Sequence, residues 1–226
     1  GVLTEDVTGS PFPEVVDRTT FVPLSMMAST FQQPPPPALR ERLATGYHCA
    51  ADGCAPLPYD YVAFAPAGAL QTTAADMARF MAFHLSGTGS ALADSTRRRM
   101  HGPRWQPHPA LGGMSYGFYR GMVGRHKALR HAGGWPGWSS QLVLVPEAGL
   151  GYFVAVNTGT AAFMEALLER FAADVLGGPL PPPIARSPTA GSPTAGSLTA
   201  GSLTAGSLTA GSPDVPLDRY AGTYRL

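Results

Sequence analysis

The sequence predicts an α+β fold, an antiparallel sheet covered by helices. A stretch of helical periodicity, "TTAADMARFMAFHLSG", precedes four short apolar runs rich in aromatic and β-branched residues. Gly- and Pro-containing turns separate those runs, and a second amphipathic stretch follows them. Strands grouped together in sequence, with helices before and after, pair antiparallel rather than through helical crossovers.

The elements run in this order. "VLTEDVTGSPFPEVVDRTTF" is broadly helical, with Leu3, Val7, Val15 and Val16 as its buried face; Pro11 and Pro13 divide it into two short helices. "QQPPPPALRERLATGYHCAADGCAPLPYDY" is polar and proline-rich and reads as a long irregular excursion, a kind of loop that often carries function. Its two cysteines, Cys49 and Cys54, are the only ones. Their spacing suits either a small disulfide or two free thiols, and no ligand pair beside them makes a zinc site.

Thr73 followed by Asp76 resembles a capping box. Met77, Phe80, Met81 and His84 or Leu85 then recur at helical spacing, and Gly87 can end the helix. The strand runs are "SYGFYRGMV", "ALRHAG", "SSQLVLVP" and "GYFVAVN", with "PEAG" turning the last two into a hairpin. "AAFMEALLERFAADVLGG" forms the final helix, with Phe163, Leu167, Phe171 and Val175 on one face and Gly177 as its stop. Residues 1–178 thus read as one folded unit.

Beyond it the composition changes. Residues 179–213 are Pro-rich and hold five tandem five-residue units, Ser187 to Gly211, too small in side chain to bury a core. They read as a flexible linker spanning about 25–30 Å. Residues 214–226, "DVPLDRYAGTYRL", read as the first strand of a further β domain.

The net charge of +1 gives no reason to expect nucleic acid or an anionic membrane as partner. No apolar run reaches the roughly 18 residues of a membrane span; the longest, Leu142 to Val156, is interrupted by Pro146 and Glu147. The first residues, "GVLTEDVTGS", show no signal-peptide pattern and read as the interior of a domain, which leaves the compartment open.

Counting settles several catalytic templates. Lys127 is the only lysine, so Ser-x-x-Lys would need serine at 124, where Gly124 stands. Asn157 is the only asparagine, and Ala155 occupies the position a Tyr-x-Asn or Ser-x-Asn motif requires. "GMSYG" matches Gly-x-Ser-x-Gly, yet Ser115 leads into a strand rather than a helix, and no histidine follows Glu147. It reads as a strand start. His126 and His131 are five apart, hence on opposite faces of a strand, and no histidine pair has metal-ligand spacing.

"HAGGWPGWSSQLVLVPEAGLGYFVAVN", residues 131–157, resembles the third motif region of the beta-lactamase-related serine hydrolases, which include class C beta-lactamases, D-alanyl-D-alanine carboxypeptidases and related esterases. The pattern is His-x-Gly, a further Gly, Pro-Gly, Ser-Ser, then an apolar hairpin with Pro-Glu at its turn and a closing Asn. "VTGSPFPEVVDRTTFVPLSMMASTF" and "APAGALQTTAADMARFMAFHL" resemble two other family segments in the same order, with Ser25 and Ala69 where the family has glycine. "DVPLDRYAGTYRL" resembles the opening strand of the small β domain that often trails the fold.

The resemblance implies a serine beta-lactamase/DD-peptidase-like fold, incomplete at the N-terminus. It covers residues 1–177, the C-terminal part of such a domain, with the nucleophile and its base encoded upstream. The parent would cleave an ester or amide through an acyl-serine intermediate. The resemblance makes Gly134 one N–H donor to the oxyanion, the nucleophile's own N–H being the other. It has Gly133 open the strand backbone to substrate. His131 would face the cleft and donate to a substrate carboxylate or assist proton transfer; the alternative is a hydrogen-bonded histidine at a strand end. Trp135 and Trp138 either wall the cleft or pack at the turn. Tyr47, Tyr59 and Tyr61 would rim it, while Asp76, Glu147 and Asn157 read as cap, turn and strand-end residues. The implied partner is a small-molecule or peptide acyl substrate, with no cofactor and no metal. Substrate and oligomeric state stay open, as does the alternative of a non-catalytic binding or scaffold module on the same fold.

Overall fold

The computed structural model describes residues 1–178 other than 88, 109–110 and 159–160. The linker and the trailing β segment, 179–213 and 214–226, lie outside the described residues.

Strands β3 (Gly113–Met114), β4 (Tyr119–Val123), β5 (His126–Trp135), β6 (Trp138–Val145) and β7 (Leu150–Val156) form one antiparallel sheet in the order β3-β4-β5-β6-β7. Short turns produce this meander. Gly124-Arg125 joins β4 to β5, Pro136-Gly137 joins β5 to β6, and a 3-10 turn at Pro146–Ala148 joins β6 to β7. Gly124, Gly137 and Gly149 have φ of 58°, 77° and 64°, where a side chain would be strained. Ser115 sits in the β3–β4 turn, its N–H donating to the Phe118 carbonyl, so the segment is strand–turn–strand and not a nucleophile elbow.

Helix α5 (Ala74–Ser86) lies on one face, against β6 and β7. Thr73 caps it, accepting from the Asp76 N–H at 3.2 Å, and Gly87 ends it in the left-handed region with its N–H on the Phe83 carbonyl. Met77 and Phe83 pack there with Leu129, Leu142 and Leu144 of the sheet, and with Phe21, Leu24 and Met26 from the first segment. His84 is also buried, ringed by Phe80, Phe83 and Phe118, with Nδ1 2.9 Å from His101 Nε2 of α6 (Asp94–His101). Burial, then the charges of His101 and Arg97, push its pKa down to about 3.

The opposite face carries α7 (Ala161–Arg170) and a π-turn at Phe171–Val175. Val123, Ala128, Val143 and Val145 meet Leu168, Ala172 and Leu176. The buried stripe is therefore Met164, Leu168, Ala172 and Leu176, one residue along from the expected one, and Phe163 and Val175 are exposed. The two stripes are neighbours on a helix that is apolar over a wide arc, and the methyl of Ala172, fully buried, marks the side that approaches the sheet.

The first segment forms two helices, α1 (Val2–Thr8) and α2 (Phe12–Val16), then a π-turn at Asp17–Phe21. Val15 is buried as expected, and Val16 is half-buried against the core. Leu3 and Val7 are not buried; they are 76% and 77% exposed, because α1 contacts α2 rather than the sheet. Ser25 has φ 57°, so the position where the resembling family has glycine is one that needs the left-handed region.

The excursion is less irregular than its composition implies. It contains α3 (Pro37–Arg40) and a two-stranded hairpin, β1 (Tyr47–Ala50) with β2 (Gly53–Pro56). Cys49 and Cys54 face each other across that hairpin and form a disulfide. A single turn, α4 (Ala65–Gly68), leads on toward α5.

Candidate active site

Strand β5 is paired with both neighbours only at Leu129 and Arg130. Its pairing with β4 ends at Tyr119–Arg130, whereas its pairing with β6 continues from Leu129–Leu144 to Trp135–Trp138. His131 to Trp135 therefore has β6 on one side and an open edge on the other.

Hairpin geometry fixes which backbone groups that edge presents. A two-residue turn closes on a doubly hydrogen-bonded pair, so Trp135 turns its N–H and C=O toward β6. Bonded and non-bonded pairs then alternate. Gly133 and His131 also face β6, while Gly134 and Ala132 direct their N–H and C=O to the open edge. Counting from the Gly124-Arg125 turn makes Tyr119–Arg130 a bonded pair, in agreement.

Side chains alternate independently of this. His131, Gly133 and Trp135 share the face of Leu129, the α5 side of the sheet, with Leu142, Ser140 and Trp138 opposite them on β6. His131 is exposed, and the Tyr119 ring lies 5.9 Å from its own, tilted by 30°. At Gly134 an added Cβ would meet nothing within 4 Å. At Gly133 it would stand 2.6 Å from Ser140 Oγ, so the cross-strand hydroxyl already fills that place.

The excursion is fastened to the end of β7 and to the β5–β6 turn. The Tyr47 N–H donates to the Asn157 carbonyl, and Asn157 Nδ2 donates to the Thr45 carbonyl. Gly137 packs against Gly46, Tyr47 and Leu57, and an added Cβ at Gly46 would lie 2.7 Å from Trp138 Nε1. Trp138 is half-buried at the turn, against Gly46. Trp135 is 39% exposed, its Nε1 donating to Asp60 Oδ2. Tyr59 and Tyr61, on either side of Asp60 in sequence, are exposed, while Tyr47 is drawn into the hairpin.

Asp76 is buried and structural. Its Oδ2 accepts from the Ala28 N–H and from Ser29 Oγ, and its Oδ1 from Arg79 Nη1. Glu147 lies in the 3-10 turn. Burial pushes the Tyr152 phenol up to about 12, so it stays protonated and donates to Gln141 Oε1, on the α7 side and away from the edge.

His131, Gly133, Gly134 and Trp135, singled out by sequence reasoning, lie on β5, and Trp138 opens β6 as the pairing partner of Trp135. Such reasoning is local along the chain. It missed Asp60, whose only sequence signal is its place between two tyrosines in the excursion.

The family model described as Beta-lactamase matches residues 1–177. No curated protein matches the chain. Among solved structures, the octameric penicillin-binding protein homologue from Pyrococcus abyssi is similar in fold, with a TM-score of 0.67 and 22% identity. The match covers 79% of this chain and 41% of that one, so the chain spans well under half of its neighbour's length.

Proposed function

This chain belongs to the beta-lactamase family, and from that premise we propose that the open edge of β5 is one wall of an acyl-transfer cleft. The observation that carries the reading is the outward-facing N–H of Gly134 on an edge that β4 leaves unpaired. A carbonyl substrate laid along that edge would place its oxygen on this N–H. When a serine hydroxyl adds to the carbonyl carbon, the oxygen becomes an oxyanion, and a preorganised N–H there contributes roughly 2.7–4 kcal/mol to its stabilisation. The leaving alcohol or amine departs with a proton. His131 is exposed on the adjoining face and supplies either that proton or a donor to a substrate carboxylate. Gly133 and Trp135 shape the same face. The substrate is an ester or amide: a beta-lactam, a D-alanyl peptide or a simple ester.

Ser-x-x-Lys and Tyr-x-Asn are not among these 226 residues, and the reading assigns the reactive serine and its base to polypeptide outside them. The 226-residue chain, offered a chromogenic cephalosporin or ester, is therefore expected to give no stoichiometric burst of product. A burst that a serine-directed inhibitor abolishes would overturn this assignment. The same lack of motifs supports a second reading, a binding module that holds acyl compounds without cleaving them. Burst kinetics on a longer product of the gene that includes both motifs separate the two.

A further inference from the structure

The excursion brings a carboxylate to the turn end of the open edge. Asp60 Oδ2 accepts from Trp135 Nε1 at 3.1 Å, across 75 positions of sequence. Trp135 shares its face with His131 and Gly133, so Asp60 stands at one end of that face. Tyr59 and Tyr61 flank it, their rings edge to face at 5.1 Å and both exposed. The platform is held from below. The Gln33 side chain donates from Nε2 to the Val62 carbonyl and accepts the Val62 N–H on Oε1. Gln71 Nε2 donates to the Tyr59 hydroxyl, and Val62 is buried. The ion pairs among the described residues engage Asp76, Asp94 and Asp174, not Asp60. An accessible carboxylate, one oxygen of which is oriented by the Trp135 indole N–H, is the chemistry that recognises an ammonium group.

We infer that the cleft prefers acyl substrates bearing an ammonium group, held by the Asp60 carboxylate beside Trp135. The inference rests on the acyl-cleft reading for the place of the carbonyl; the ammonium subsite stands on its own contacts. The ammonium belongs either to the α-amine of an amino-acid ester or amide, or to a longer side chain.

Calorimetric titration of the full chain tests this at about pH 6, where amines are charged. Three esters are compared: D-alanine methyl ester, its neutral N-acetyl derivative, and Nα-acetyl-lysine methyl ester. One or both ammonium esters should bind about five- to tenfold more tightly than the neutral one, and the tighter identifies the source. Asp60→Asn keeps an acceptor for Trp135 and removes the charge. It should bring the ammonium esters to the neutral level, as should added salt, with the neutral ester unmoved. Equal affinity for all three, or a preference that survives Asp60→Asn, would overturn the inference. Gly134→Pro removes the outward N–H and isolates the cleft reading. Weaker binding of the neutral ester supports the cleft whatever the charge preference. A charge preference that persists while the neutral ester ignores Gly134→Pro keeps the ammonium subsite and rejects the cleft. No binding by any ester rejects both.

Discussion

The two halves of β5 share a backbone and little else. His126 to Arg130 is paired with β4, Leu129 and Arg130 also with β6, and Ala128 and Leu129 are buried between α7 and α5. His131 to Trp135 is paired on one side and exposed throughout. The difference arises from where β4 starts. The Ser115–Phe118 turn delays β4 until Tyr119, and everything on β5 past its partner Arg130 is left open. One half is rigid because its neighbours over-determine it. The other inherits that rigidity through continuity of the strand and keeps its backbone groups for something else, the arrangement a preorganised site needs.

Proline substitution should break the comparison most sharply. Ala128 lies inside the sheet, directed at Gly121 of β4, and Ala128→Pro removes a ladder bond and adds a clash. No cooperative thermal transition is expected from it by circular dichroism. Gly134→Pro removes only an outward N–H, so its transition should persist. If both variants fold, or neither does, the edge is not where the pairing puts it.

Side-chain truncation sharpens the contrast at smaller amplitude. Leu144 is fully buried opposite Leu129, and Leu144→Ala should cost about 3 kcal/mol in urea unfolding. His131→Ala, two pairs further along the strand, should change stability by less than about 0.5 kcal/mol. A large loss there would mean that His131 is part of the core.

Acid should weaken the packed half next. The folded-state pKa of His84, about 3, lies below the ordinary 6.5. The unfolded chain therefore binds more protons between those values, and stability is full above pH 6.5 and falls as pH drops toward 3. A loss of about 2 kcal/mol between pH 7 and pH 5 follows from that one group. His84→Gln should flatten the slope in urea titrations; an unchanged slope would place the acid sensitivity elsewhere.

Much of this was legible in the sequence. The cap Thr73, the stop Gly87 and the spacing of Met77 and Phe80 located α5, because a helix end is decided within four residues. Gly137 and Gly149 marked their turns for the same reason. Leu3 and Val7 were misplaced because periodicity reveals an apolar face without revealing whether anything covers it. The α7 stripe was off by one residue because two adjacent stripes are both apolar. Helix α6 gave no signal: its "DSTRRRMH" is polar except for one methionine, and Met100 and His101 are what it sets against the core. The β1–β2 hairpin escaped because proline and glycine in its surroundings mask two short strands that the disulfide closes.

The sequence by itself determined strands β4 to β7, the turns between them, the capped helix and the cluster of His131, Gly133 and Gly134 at a strand end. Those depend on dihedral preference and on hydrogen bonds that close within a few residues. Only the tertiary structure decided that β4 stops at Tyr119, that α7 lays Ala172 against the sheet, and that Asp60 meets Trp135. Each of these pairs groups distant in the chain, and a backbone edge or a carboxylate has no local preference for the partner that packing brings to it.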